Sequence, residues 1–179
     1  IYDNTSFSGQ GYDPTSMFGA DAVLDSGTTT GGVVTAFEFG WYTSTEITGL
    51  QAVVRFFEGG DTSTNITGTR IAEFVFSGLS SPGAYSSGMQ TLLEEFQFDL
   101  PAGQFGYSLM LLDGTGAVVS GGGVLLCSGG SGQVDKICLT DANDNVMVGL
   151  SFGGNPWAGT FMKIEAGPPC QTSAPGTPT

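Results

Sequence analysis

The sequence predicts an all-β fold, an antiparallel β-sandwich or jelly roll of about nine to ten strands. Apolar and polar residues alternate along many short segments, which is the pattern of strands with one buried face. Glycine, proline, asparagine and aspartate separate these segments at intervals of roughly ten residues, as in sandwiches and jelly rolls. One helical turn near residues 89–96 is the most that any helical pattern supports.

The first clear strand, 33–42, alternates β-branched and aromatic residues. The second, 50–59, follows a turn-like segment and ends in a polar loop. The strand at 70–78 alternates again, and the strand at 91–100 ends before Pro101, which cannot donate to a ladder. Further apolar segments predict six more strands, at 104–113, 116–120, 123–128, 136–140, 146–152 and 159–166.

The apolar pattern ends abruptly after Ala166. We therefore expect a β-sandwich domain over residues 1–166 and a C-terminal tail over residues 167–179. Proline, glycine, serine and threonine dominate the tail, a composition typical of linkers.

The charge balance argues against several classes of function. The 179 residues include no histidine, four cationic side chains and seventeen carboxylates, for a net charge of −13. Such a chain repels nucleic acid, and it lacks the histidine that most catalytic triads and zinc sites use. No segment is long and apolar enough for a transmembrane helix. We expect a protein that is not an enzyme, lies outside the cell or at its surface, and binds no nucleic acid.

Three cysteines allow more than one arrangement. Cys127 and Cys138 bracket a glycine-rich segment between two apolar strands, a spacing that suits a disulfide across a hairpin. The alternative is two buried thiols. The third cysteine, Cys170, would be free, joined to another subunit, or bonded to one of the other two.

The segment TDANDNV has the pattern of a calcium loop. Asp141, Asn143 and Asn145 place oxygen ligands at alternate positions, as the first half of such a loop does. Distant carboxylates such as Asp21 or Asp25 would complete the site. The alternative is an asparagine- and aspartate-rich β-turn without metal. We expect no other cofactor.

Several aromatic residues suit a carbohydrate-binding surface. Trp41, Tyr42 and Trp157, together with Tyr107, are candidates for stacking against sugar rings. The alternative is that these residues pack in the core or at an interface. Because Trp41 and Tyr42 are adjacent on a strand, one faces inward and the other outward.

Four segments resemble secreted bacterial β-sandwich domains: IYDNTSF, GADAVLDSGTTTGGVVTAFEFGWYTS, VVRFFEG and SFGGNPWAGTFMKIEA. Such domains occur in anchor-sorted (PEP-CTERM-like) surface proteins of environmental bacteria. The resemblance implies a sandwich that is secreted or exposed at the cell surface, and it implies no catalytic residues. The anchor motif and terminal apolar helix of anchored members are missing from the sequence.

Two roles fit these observations. In the first, the protein is a structural subunit that associates with copies of itself into a filament, sheath or surface layer. Unprotected strand edges would join, with Ile1, Tyr2, Phe7 and Cys170 in the terminal segments that connect subunits. In the second, it is a carbohydrate-binding or adhesive module.

Overall fold

The computed structural model describes residues 1–81, 85–127, 136–152 and 159–167. Within these ranges the chain forms fourteen strands, one helical turn, α1 (Thr15–Phe18), and 3-10 turns at Thr62–Thr64 and Glu94–Phe96. The strands are β1 (Tyr2–Asn4), β2 (Phe7–Tyr12), β3 (Ala22–Thr29), β4 (Gly32–Thr43), β5 (Gln51–Glu58), β6 (Thr69–Ser77), β7 (Ser86–Thr91), β8 (Phe98–Leu100), β9 (Gly103–Leu112), β10 (Gly122–Cys127), β11 (Lys136–Thr140), β12 (Val146–Ser151), β13 (Gly159–Thr160) and β14 (Met162–Gly167).

The strands form two antiparallel sheets, which confirms the predicted β-sandwich. The six-stranded sheet has the order β12-β11-β3-β9-β5-β6, so β12 and β6 are its edges. In the eight-stranded sheet, β4 is flanked by β14, β7 and β8, and β10 by β2 and β13, while β1 pairs with β14. Strand β10 also pairs with the last residues of β4.

Aromatic side chains fill the space between the sheets. Phe37 of β4 is fully buried, and its ring centroid lies 5.0 Å from that of Phe56 on β5. The rings of Phe74 and Phe76 on β6 lie 5.4 and 5.6 Å from Phe37. These four phenylalanines join three strands across the sandwich, and we call them the phenylalanine cluster.

The outer face of the six-stranded sheet is also covered. Two small clusters lie there beneath loops, one around Met110 under Val118 and one around Phe57 beside Val146. The loop at 59–68 adds Thr62, whose backbone N–H donates to Ser26 Oγ at 3.0 Å. Because both faces are covered, β3, β5 and β9 are mostly buried at successive residues rather than at alternate ones.

The strand assignments from sequence were partly wrong. Strands β1, β2 and β3 lie in the first 29 residues, where no strand position was assigned. The predicted strand 116–120 is a loop with a single bridge, from Val118 to Leu112. The segment 91–100 divides into the end of β7, a 3-10 turn and β8, which ends before Pro101 as expected. Gly167, the first residue of the predicted tail, is the last residue of β14, and residues 168–179 lie outside the described residues.

Replacing the central ring of the phenylalanine cluster should destabilise the domain strongly. We expect Phe37→Ala to lower the free energy of unfolding by about 3–5 kcal/mol, because it leaves a cavity between two sheets. Urea denaturation measures the change. The matched control is Phe96→Ala, which removes a ring that is 54% exposed and should cost much less. Equal losses for the two variants would contradict the assigned core.

Candidate functional site

The most prominent surface feature is the pair of edges of the six-stranded sheet. Strand β6 pairs with β5 alone, and β12 with β11 alone, among the described strands. Val75 on β6 and Met147 on β12 are 57% and 50% exposed. Neither strand contains lysine or proline, the residues that usually discourage pairing at an edge.

An apolar groove lies beside β6. It has a volume of about 370 Å³ and is bounded by residues 73–76 of β6, by Thr91 at the end of β7 and by residues 92, 93 and 96 after it. Leu93 and Phe96 on its far wall are 65% and 54% exposed. Phe74 and Phe76 belong to both the groove wall and the phenylalanine cluster, so the groove opens directly onto the core.

The charges on β6 neutralise one another. Arg70 and Arg55 both contact Glu73 Oε2, with N–O distances of 2.9 and 2.7 Å. Arg55 also donates to Asp144 Oδ1 at 2.7 Å and to the carbonyl of Ala142 at 3.1 Å. This network leaves the Val75 end of β6 without a charged side chain and ties the 141–145 loop to β5.

The segment proposed as a calcium loop forms an Asx turn around Asp141. Asp141 Oδ1 accepts backbone N–H groups from Asn143 and Asn145, both at 2.9 Å, and Oδ2 accepts the Asn145 amide at 2.8 Å. These hydrogen bonds lower the pKa of Asp141, and the one from the Asn145 side chain has the largest effect. The intervening Asp144 has φ 69° and faces the Arg55 guanidinium.

One of the two distant carboxylates lies at this loop. Asp21 reaches it, since Oδ2 accepts the N–H of Ala142 at 2.7 Å, but Asp25 is buried between the sheets. In the described ranges, no group of three histidine, cysteine, aspartate or glutamate side chains is placed to hold a metal ion.

The predicted disulfide is wrong, because its hairpin does not exist. Cys127 ends β10 in the eight-stranded sheet, whereas Cys138 lies on β11 in the six-stranded sheet. Both are buried, and no disulfide joins them. The Cys138 thiol contacts Asn65 Oδ1 at 3.5 Å, and burial raises its pKa to about 11. Cys170 lies outside the described residues.

Two of the residues proposed for an aromatic platform, Trp41 and Tyr107, lie in the core. Trp41 is buried, and its indole N–H donates to the carbonyl of Ser80 at 3.2 Å. Tyr107 is buried as well, and Trp157 lies outside the described residues. Tyr42 points outward as expected and is half-buried.

Tyr42 instead belongs to a different aromatic group, which we call the outer aromatic patch. Its members are Phe7 on β2, Tyr42 on β4 and Tyr85 just before β7. The ring centroid of Tyr85 lies 4.8 Å from that of Phe7 and 6.3 Å from that of Tyr42. Tyr85 is 50% exposed. The patch was not predicted, because the three residues meet only after β2, β4 and β7 are joined through the eight-stranded sheet.

The N-terminal residues proposed as connectors lie in the chain's own sheet. Tyr2 pairs with Ile164 of β14 and is buried, so its side chain is not a surface contact while β1 stays in place. Ile1 and Phe7 are partly exposed. The Ile1 ammonium donates to the carbonyl of Ile164 at 2.8 Å, which fixes the start of β1.

A polar cluster lies deep between the sheets, around Asp25. Its Oδ2 accepts the Thr160 N–H at 2.6 Å, the Thr160 hydroxyl at 3.2 Å and the Tyr107 hydroxyl at 3.1 Å. Its Oδ1 accepts the Ser26 N–H at 2.7 Å. Burial nevertheless raises the pKa of Asp25 to about 7 and outweighs these four bonds.

Comparison with protein families, curated proteins and solved structures finds no match to this chain. Its function must therefore be argued from its own residues. Within the described residues, no helix has the length and apolar character needed to cross a membrane.

Removing the buried guanidinium should free the 141–145 loop. We expect Arg55→Met to lower the free energy of unfolding by about 3 kcal/mol, because Asp144 loses its nearest cation in a largely buried position and keeps only the longer contact to Arg70. Urea denaturation measures this loss. The control, Lys163→Met, breaks an exposed pair with Glu165 and should cost much less. A smaller loss for Arg55→Met than for Lys163→Met would contradict the network.

Proposed function

We propose that the protein is a non-catalytic extracellular structural subunit that polymerises by adding strands at the edges of its six-stranded sheet. The observation that carries this proposal is the pair of exposed edges, β6 and β12, without lysine or proline. An edge strand presents a row of unpaired N–H and C=O groups, and a second chain satisfies them by strand addition.

The two edges favour an open polymer over a closed dimer. Strands β6 and β12 lie at opposite ends of one sheet. When β6 of one copy pairs with β12 of the next, the first copy keeps its β12 edge free and the second copy keeps its β6 edge free. Repeated contacts between two different surfaces generate filaments when the rotation does not close. The sheet then continues from subunit to subunit.

Low charge at both edges reduces the cost of this contact. Strand β12 contains no charged residue, and the charges on β6 are already paired within the subunit. Few charged groups must therefore be desolvated when the strands meet. The groove beside β6 adds apolar surface for side chains of the incoming strand.

The site chemistry supports a structural role more than a catalytic one. The chain has no histidine, and its one carboxyl with a strongly raised pKa, among the described residues, is the fully buried Asp25. A substrate has no access to that carboxyl. The extracellular location rests on the resemblance to secreted sandwich domains and on the acidic, cation-poor composition.

A charge on either edge should stop polymerisation. We expect neither Val75→Lys on β6 nor Met147→Lys on β12 to form polymers, because a lysine at an edge must be desolvated when the strands pair. Mixing the two variants should yield dimers that do not grow, because each variant keeps one intact edge. Sedimentation velocity and electron microscopy measure the assemblies.

Thr45→Lys is the control, since it adds the same charge on an exposed loop that belongs to neither edge strand and should polymerise normally. Dimers of Met147→Lys alone would indicate pairing between two β6 strands instead. Monomeric wild-type protein at every concentration and salt condition would exclude the proposal.

A second candidate function is carbohydrate binding at the outer aromatic patch. Phe7, Tyr42 and Tyr85 place three rings on the outside of the eight-stranded sheet. Exposed aromatic rings provide flat apolar faces, and the two tyrosine hydroxyls provide polar contacts of the kind that sugars use.

Removal of the most exposed ring tests this candidate. If the patch binds sugars, we expect Tyr85→Ala to weaken glycan-array binding at least tenfold, the order of magnitude of one lost aromatic contact. Phe96→Ala, which removes an exposed ring elsewhere, should leave binding unchanged. Absence of glycan binding by the wild-type protein, or equal loss in both variants, would eliminate the patch as a sugar site.

A further inference from the structure

We infer that Asp25, Tyr107 and Thr160 form a proton-sensitive latch that holds the two sheets together more tightly in mildly acidic than in neutral solution. Asp25 lies on β3 and Tyr107 on β9, both in the six-stranded sheet, whereas Thr160 lies on β13 in the eight-stranded sheet. The hydrogen bonds of Asp25 therefore cross the sandwich.

The latch extends to the N-terminal strand. Tyr2 of β1 is hydrogen-bonded to Tyr107, with 3.2 Å between the hydroxyl oxygens, and the Asn4 amide donates to the carbonyl of Thr160 at 2.9 Å. Both residues are buried. Strands β1 and β13 are short, three and two residues, so these side-chain bonds form a large part of what holds them.

The cluster can satisfy both protonation states of Asp25 without moving a heavy atom. The Tyr107 hydroxyl oxygen lies 3.1 Å from Asp25 Oδ2 and also 3.1 Å from the carbonyl oxygen of Thr160. With Asp25 ionised, the Tyr107 proton points to the carboxylate. With Asp25 protonated, the carboxyl donates to Tyr107, and the Tyr107 proton turns to the Thr160 carbonyl.

No cation in the described part of the chain contacts the ionised form. The titratable side chains around the cluster are Tyr2 on β1, Tyr107 on β9, Cys127 on β10 and Cys138 on β11, and none of these residue types carries a positive charge. The neighbouring residues 153–158 contain no titratable side chain. Hydrogen bonds alone therefore oppose the cost of burying the carboxylate.

The direction of the pH dependence follows from the raised pKa. In the folded protein, the pKa of Asp25 rises from 3.8 to about 7, so the folded state binds a proton that the unfolded state has released. The stabilisation of the folded state by this bound proton is complete below about pH 4, and it is lost as the pH rises through 7. Because the chain has no histidine, no imidazole titration obscures this window.

Acid weakens the fold by a separate route. Hydrogen bonds lower the pKa of Asp61, Asp113 and Asp141, so protonation of these surface carboxylates removes stability at low pH. We therefore expect maximum stability at mildly acidic pH, above the range in which these surface carboxylates are protonated and below the range in which Asp25 ionises.

NMR titration of the full chain tests the latch directly. The backbone amides of Ser26 and Thr160 both donate to Asp25, so we expect both amide proton shifts to titrate together with a midpoint near pH 7. Amide shifts that stay constant between pH 5.5 and 8.5 would overturn the inference. Where the wild type polymerises, the Val75→Lys variant supplies the monomer that solution NMR requires, because Val75 lies on β6, which contributes no residue to the latch.

Urea unfolding at fixed protein concentration tests the energetic consequence. We expect the unfolding constant of the wild type to rise by about tenfold per pH unit between pH 5 and 6.5, as linkage to one proton requires. Asp25→Asn should lose this dependence. Asp99→Asn, a change at an exposed aspartate of β8, should keep it. A pH-independent unfolding constant in the wild type would overturn the inference even if Asp25→Asn fails to fold.

Discussion

The packing of Phe37 against Phe56, Phe74 and Phe76 is the interaction on which the rest of the structure depends. It joins β4 of one sheet to β5 and β6 of the other, and so fixes how the two sheets lie over each other. With β6 held by its inner face, its outer face and edge remain at the surface. The same packing that stabilises the core therefore creates the apolar groove and the exposed edge.

The scarcity of charge has different consequences in different parts of the molecule. Arg55 and Arg70 are used within the subunit, where they hold the 141–145 loop against β5 and β6. Lys136 donates to the carbonyl of Ser63, and Lys163 pairs with Glu165. No lysine remains for the edges of the six-stranded sheet, and no cation contacts Asp25 in the described ranges. The proposed self-association and the proposed proton sensitivity thus have one compositional origin.

The proposed polymer and the proposed latch use different strands of the sandwich. Strand β6 and its groove lie beside β5 and β7, whereas Asp25 and its partners involve β1, β3, β9 and β13. Polymerisation and the latch would be coupled if β1 were exchanged between subunits, since Tyr2 and Asn4 belong to the latch. In that case, loosening of the latch at neutral pH would lower the free energy needed to release β1 from its own sheet.

The sequence by itself determined the sandwich class, because period-two alternation and frequent turns are local patterns that leave few other folds. It also determined that one of Trp41 and Tyr42 faces inward, since neighbouring residues on a strand alternate. Only the tertiary structure decided that Trp41 is the inward one and that Cys127 and Cys138 lie in different sheets. The edge positions of Val75 and Met147 and the enclosure of Asp25 were likewise decided there. These properties depend on which strands pair over long sequence distances, and neither residue type nor local spacing specifies that pairing.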